Sequence, residues 1–211
     1  MHYQLFSKFV FTILCLSFLL NSNLGLKAES YTVPSEACEL SKAYPTLVYQ
    51  VSREKPLTQG ILLVGCQVDT VFPVITAKAG VHRVLNKRTN QYQDRSFYTP
   101  VGQFTFDYAL MKRNIKLSWE EAGYKDLETP NWMPYMTDTS TGDYGEYTGR
   151  NLFGFHAAPW RLTDEFYGNA ELLAGGSHGC SNMRIAQSGY LYEFLENQRN
   201  NNQKVKIYSY L

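Results

Sequence analysis

The sequence predicts a mostly β fold, on three observations. Aromatic residues are abundant, with 16 Tyr and 12 Phe, and such side chains pack well on pleated, half-buried surfaces. Short runs of β-forming residues recur along the chain, and turn chemistry separates them. At 211 residues, 44% hydrophobic and 18% charged, the chain is long enough for one domain with a sizeable core.

The elements follow in order. Residues 46–51 and the run 61–68 are rich in β-formers and read as strands, and 71–76 follows closely enough to be a hairpin partner. A polar stretch, 86–96, leads to Thr99-Pro100-Val101-Gly102, where Pro presets one φ and Gly frees another. Residues 104–109 alternate apolar and polar and form the next strand. From 110 to 150 the pattern weakens. Ser118 with Glu121 suggests a capping box and a short helix, and 137–149, dense in Gly, Thr, Asp and Tyr, reads as a long loop of the lid or binding kind, or as a surface excursion. Residues 185–198 predict a helix with Tyr190, Leu191, Phe194 and Leu195 on one face. Alternation at 204–208 closes the sheet. No internal repeat or second domain is visible.

The ends and the charge narrow the setting. Lys8, an apolar run over 9–20, then Asn21, Ser22 and Asn23 have the anatomy of a secretory signal peptide. The run is shorter than the ~20 residues that span a bilayer, and cleavage falls after Ala28, an uncleaved anchor being the alternative. Leu14 before Cys15 is too large for a lipoprotein site. The organisation is therefore 1–28 signal peptide, 29–45 polar lead-in with breakers at Pro34 and Pro45, and 46–211 the functional domain, with no integral membrane domain after cleavage. This places the protein in the periplasm or cell envelope. A formal net charge of +1, without a Lys/Arg cluster, argues against nucleic acid as a partner. After the leader, Cys38, Cys66 and Cys180 remain. An odd count in an oxidising compartment leaves one thiol over. Cys38 and Cys66 either pair, leaving Cys180 free, or sit buried as small hydrophobes.

Two of the remaining histidines lie near Cys180 in motif: Gly154-Phe155-His156-Ala157-Ala158-Pro159-Trp160, and Ser177-His178-Gly179-Cys180-Ser181-Asn182-Met183-Arg184. A cysteine nucleophile acts as thiolate, and a nearby imidazole or helix N-terminus lowers the thiol pKa. Glycines at 175, 176 and 179 allow unusual backbone angles and let N–H groups face a developing oxyanion. A catalytic zinc on His156, His178 and Cys180 is the competing reading, but the single residue between His178 and Cys180 is too tight for the usual chelating spacings. No metal and no cofactor is expected. His82 carries no motif and reads as an ordinary surface or core histidine.

At these residues the sequence resembles the L,D-transpeptidase catalytic domains, the YkuD-like family. That family's pattern is a His, a spacer, then Ser/Thr-His-Gly-Cys-x-Asn or -Arg. Upstream, Thr99-Pro100-Val101-Gly102-Gln103-Phe104 resembles its Thr-Pro-x-Gly-x-Phe, and Met133-Pro134-Tyr135-Met136 resembles the stretch before its first His. The resemblance covers most of the chain from about residue 46. The spacer 157–176 is a few residues longer than usual, which puts a longer loop at 164–176.

The resemblance implies a YkuD-like β-sandwich with a few short helices and the cysteine at one mouth of a cleft. It implies Cys180 as nucleophile and His156 as general base, with the second ring nitrogen held by the Ala157 carbonyl. His178 would shape the site, and the Gly179 and Cys180 N–H groups would form the oxyanion hole. Asn182, Arg184, Ser177 and Tyr135 are the expected substrate-side residues, Asn182 and Arg184 alternatively bracing the loop, Ser177 also bonding to backbone and Arg184 alternatively forming a structural ion pair. The implied reaction is acyl transfer on peptidoglycan stem peptides through a thioester, giving 3–3 cross-links. The alternatives are an L,D-carboxypeptidase or peptidoglycan amidase using the same site, or a non-catalytic wall-binding domain. An intact Cys/His set has no use in a binder.

Overall fold

The computed structural model describes residues 32–52, 54, 57–77, 81–86, 89–96, 99–119, 124–137, 153–158, 177 and 179–211. The signal-peptide expectation, most of the 137–149 loop, Glu121, His178 and the 164–176 loop lie outside the described residues. Strands dominate, as expected. They are β1 Thr46–Gln50, β2 Leu57–Val64, β3 Gln67–Ile75, β4 Val81–Asn86, β5 Gln91–Ser96, β6 Gly102–Phe106, β7 Lys112–Trp119, β8 Tyr124–Thr137, β9 Gly154–Ala157, β10 Ser181–Met183 and β11 Lys206–Tyr210, with helices α1 Ser35–Ala43 and α2 Ile185–Asn200. No helix among the described residues is long and apolar enough to cross a membrane.

Nine strands form one sheet in the order β6-β11-β1-β2-β3-β10-β9-β8-β7, and a β6–β8 pairing closes it into a barrel-like sandwich. Two pairs are parallel, β1 with β11 and β9 with β10. Alternation along the strands decides what faces inward. Leu47, Tyr49 and Val51, Phe104 and Phe106, Met133 and Tyr135, and Val205 and Ile207 all join one core cluster, which Leu191 and Leu195 of α2 complete. Each fully buried side chain of this size contributes about 1.5–3 kcal/mol, so this interior carries most of the fold's stability. Of the expected helical face, Leu191 and Leu195 are buried and Phe194 is partly buried. Tyr190 instead lies at the edge, 44% exposed, its hydroxyl donating to Asp69 at 2.7 Å.

Four expectations need correction. The run 61–68 is not one strand, because Gly65 (φ +59°) and Cys66 (φ +65°) turn it into the β2–β3 hairpin. Two consecutive positive φ values make the type I′ geometry that matches strand twist. The polar stretch 86–96 holds half of the β4–β5 hairpin, a two-stranded sheet apart from the barrel. Ser118 caps no helix. It sits in β7 and bonds across the hairpin, its hydroxyl donating to Asp126 Oδ1 at 3.0 Å and accepting from the Asp126 N–H at 2.9 Å. Pro130 and Pro134 hide β8, since proline erases a strand's signature in sequence.

The lead-in carries α1, the fourth correction. With Ala37 and Val33 it covers Val48, Ile61 and Leu63 on the far face of β1 and β2. That apolar contact is small, so the fastening matters more. A Cys38–Cys66 disulfide joins α1 to the β2–β3 turn, a cross-link worth about 2–4 kcal/mol. Ser41 supports it, its hydroxyl accepting the Cys66 N–H at 2.7 Å and its carbonyl the Gly65 N–H at 2.9 Å.

Candidate active site

The parallel β9–β10 pair assembles the site. Its register sets Phe155 beside Ser181, His156 beside Asn182 and Ala157 beside Met183. Because side chains alternate across a strand, Phe155, Ser181 and Met183 share the core face, and His156 and Asn182 share the other. β9 is held tightly against β8: a Cβ on Gly154 would lie 3.0 Å from the Met133 carbonyl oxygen and 3.2 Å from Pro134 Cα. Any side chain there would force its neighbours apart by a few tenths of an ångström.

His156 is almost wholly buried, and both ring nitrogens are engaged. Nδ1 lies 2.7 Å from the Ala157 carbonyl oxygen, the contact expected from sequence, and Nε2 lies 2.8 Å from Asn182 Nδ2. A carbonyl can only accept, so the proton is on Nδ1 and the Nε2 lone pair takes the amide N–H. The Trp132 ring packs beside the imidazole, 5.7 Å between centroids.

Cys180, the one free cysteine among the described residues, is partly exposed at the start of β10. Its surroundings do not favour thiolate. Desolvation pushes the thiol up to about 11, against a smaller opposing pull from the Gly154 N–H. Burial therefore opposes the lowering of the thiol pKa that a nearby imidazole or helix N-terminus would bring.

A relay of hydrogen bonds fixes the loop before Cys180. Thr99 Oγ1 accepts the Ala77 N–H at 2.7 Å, Ala77 bridges Ser177, and the Ser177 N–H donates to the Thr76 carbonyl at 2.9 Å. The Ser177 hydroxyl then donates to the Cys180 carbonyl and accepts the Gly179 N–H at 3.2 Å. The Thr-Pro-x-Gly motif thus braces the nucleophile's loop from a distance. Its other end is pinned by Ser209, whose hydroxyl donates to the Pro100 carbonyl at 2.8 Å and accepts the Gly102 N–H at 3.1 Å.

Several assigned roles change with this geometry. Ser177 is buried and its hydroxyl bonds within the loop, the backbone bonding that was expected of it. The Gly179 N–H, expected in an oxyanion hole, is bonded to Ser177. What the position requires is its φ of +110°, which disfavours any side chain. Asn182, also expected on the substrate, is buried and orients the imidazole. Tyr135 is 3% exposed among Phe104, Phe153 and Phe155, inside the core. Arg184 is half-exposed at the N-cap of α2, where its carbonyl accepts the Ser188 N–H at 2.9 Å.

Sequence reasoning missed the Gly154 N–H and the phenol of Tyr49, which is buried near Cys180 and raised in pKa by desolvation first, with Cys180 adding to the rise. The alternation of 47, 49 and 51 could have placed Tyr49 inward, but nothing local links β1 to Cys180.

Residues 57–207 match the L,D-transpeptidase catalytic domain of the YkuD family. Among solved structures the chain is similar to an L,D-transpeptidase from Xylanimonas cellulosilytica, at 10% identity and a TM-score of 0.46, with 79% of this chain and 61% of that chain covered. It is also similar to a mutant L,D-transpeptidase from Enterococcus faecium, at 16% identity and a TM-score of 0.42, with 78% and 50% covered. The chain therefore spans between half and about three fifths of those two structures. No curated protein matches it.

Proposed function

The chain belongs to the L,D-transpeptidase catalytic-domain family, and from that premise we propose that it is a cysteine acyltransferase that joins peptidoglycan stem peptides by 3–3 cross-links. The observation that carries this reading is the β9–β10 register, which sets a tautomer-fixed imidazole beside the strand that follows Cys180, a partly exposed cysteine outside the disulfide. Nucleophile, base and backbone orienter are the parts a covalent acyl-transfer site needs.

Cys180 rests as the neutral thiol, so its proton leaves in the same step in which the sulfur attacks the stem's L-centre carbonyl. The proton passes to His156 Nε2, which first releases the Asn182 amide. The Ala157 carbonyl, accepting from Nδ1, steadies the imidazolium. Collapse of the tetrahedral adduct forms the thioester and returns the proton to the departing D-Ala amine. An amine from a second stem then attacks the thioester, gives a proton to the imidazole, and regenerates the thiol. The substrate lies outside the cytoplasmic membrane, and the Cys38–Cys66 disulfide supports an oxidising compartment of that kind.

Purified protein incubated with tetrapeptide muropeptides tests the reading by intact mass and product analysis. Wild type is expected to carry a tripeptide acyl adduct and to yield dimers when an amine-bearing stem is present. Cys180→Ala is expected to lose both, on the order of 10⁴-fold or more in rate. Tripeptide monomer alone, with the amine present, makes water the acceptor. Release of D-Ala by Cys180→Ala at the wild-type rate overturns the assignment.

A further inference from the structure

One row of side chains runs from the imidazole to the edge of the sheet. The strand registers place Asn182 of β10 beside His156 of β9, His156 beside Trp132 of β8, and Trp132 beside Lys112 of β7. Directly paired residues project from the same face of a sheet, so all four lie on the face turned away from the core. Their chain neighbours agree from the other side: Met111 and Met133 join the core cluster, and Asn131 Nδ2 donates to Ser188 Oγ of α2 at 3.0 Å. The Trp132 ring fills the middle of the row. It lies 5.7 Å from the imidazole, centroid to centroid, and its Cη2 passes over Gly154, 3.1 Å from where a Cβ would stand.

Lys112 ends that row, and its charge is unmatched. It is exposed, and among the described residues no carboxylate pairs with it. Lys116, farther along β7 on the same face, stands opposite Glu128, whereas Lys112 stands opposite an indole. Cross-strand pairs of opposite charge support a sheet, and Lys112 has no such use. Two strand spacings, about 10 Å, separate β7 from β9, and one extended residue spans about 3.5 Å. An ammonium on β7 is therefore about three residues' length from the strand of the base. The carboxylate of the departing D-Ala, in the residue next to the attacked carbonyl, falls short of it. A second carboxylate farther along the stem can reach it.

We propose that Lys112 is a specificity-determining residue whose ammonium holds a free carboxylate of the acyl-donor stem, other than that of the leaving D-Ala, across the Trp132 ring from His156. The inference rests on the acyl-transfer reading and names the donor that the site selects. No bond forms or breaks at Lys112. Its contact with the carboxylate is the same before and during attack, so it acts on donor binding and leaves the chemical step alone. The β7 edge thereby becomes one wall of the donor site.

The test uses the full chain and synthetic tetrapeptide stems ending in D-Ala, with each carboxylate other than the terminal one free or amidated in turn. Binding is measured by calorimetry, and KM and kcat by D-Ala release. Wild type is expected to bind the free-acid stem about fivefold more tightly than the amidated one, the scale of a solvent-exposed charge pair. Lys112→Gln should raise Kd and KM for the free-acid stem about fivefold with kcat unchanged, and should leave the amidated stem as it was. Lys112→Arg should restore the preference. The amide that abolishes the preference identifies the carboxylate held. Equal values for free and amidated stems in wild type overturn the proposal and leave Lys112 an edge charge that keeps β7 from pairing with another chain. A Lys112→Gln loss that is the same for both stems, or confined to kcat, overturns it too. If the preference appears in Kd while no D-Ala is released, the carboxylate site stands and the proposed reaction falls. Stems that neither bind nor react overturn both.

Discussion

On the face of β9 and β10 turned away from the core, His156 and Asn182 satisfy each other and the Ala157 carbonyl; on the core face, the Ser181 hydroxyl has no well-formed bond. A formed hydrogen bond contributes about 0.5–1.5 kcal/mol, whereas a buried group left unpaired costs about 1–3 kcal/mol. The first face is therefore paired through its polar groups, and the second holds buried hydroxyls without well-formed bonds. The difference separates a face that holds the imidazole in one tautomer from a face packed into the core. Cys180 directly precedes the strand that carries both faces.

Breaking the satisfied face should have the largest effect. His156→Ala removes the base, and acyl transfer is expected to fall by about 10²–10⁴-fold in steady-state assays, with a lower Tm because the change leaves a cavity and an unpaired, buried Asn182 amide. Asn182→Ala leaves the base but frees its ring, and a loss of up to about 10²-fold is expected from misplacement. An Asn182→Ala loss as deep as that of His156→Ala would show that the amide takes part in the chemistry and does not only orient the ring.

A smaller effect is expected at the strand's own position. Gly154→Ala drives a Cβ to 3.0 Å from the Met133 carbonyl and 3.1 Å from the Trp132 ring, with a stability loss of about 1–3 kcal/mol by urea denaturation. Both faces shift together, so alkylation of Cys180 should change as well. A stability loss with unaltered alkylation would uncouple the strand's placement from the sulfur's surroundings.

The smallest effect is read from pH alone. Burial pushes the folded thiol up to about 11 from an ordinary value of 9.0, so near neutral pH alkylation is expected to be slow and to gain about tenfold per pH unit. Between 9 and 11 the unfolded chain has lost this proton while the folded chain retains it. The group's contribution to stability is thus present below about 9 and is lost as pH rises toward 11. An alkylation midpoint below 8.5 in the free protein would contradict the crowding argument.

The chemistry was legible in the sequence where one residue type implies one role. Cys180 and His156 were found by motif, and even the Ala157 contact followed, because a backbone carbonyl needs no particular side chain. Roles that depend on which way a strand faces were not legible. Asn182 and Tyr135 were assigned to substrate, but a three-residue β10 and a proline-bearing β8 give too little alternation to tell inside from outside. The Gly179 N–H meets the Ser177 hydroxyl at 3.2 Å, a competing contact that the motif does not reveal. α1 was missed because so little of it is apolar: its docking depends on a cross-link whose partner lies across a hairpin, and residue spacing does not encode that.

The parallel pairing of β1 with β11 bears on how the domain is made. β1 has β2 on one edge, next to it in the chain, and β11 on the other, from the opposite end of the domain; β11 also fills an edge of β6. A chain holding β1 to β10 therefore presents two bare strand edges, each a template for pairing with another molecule. Both are capped by one late event, and that contact must first overcome the entropy of closing a very long loop. Residues 206–210 thus act as the latch of the assembly line: until they dock, the nascent domain is at its most aggregation-prone, and a chaperone that shields exposed edges would find its client in that interval.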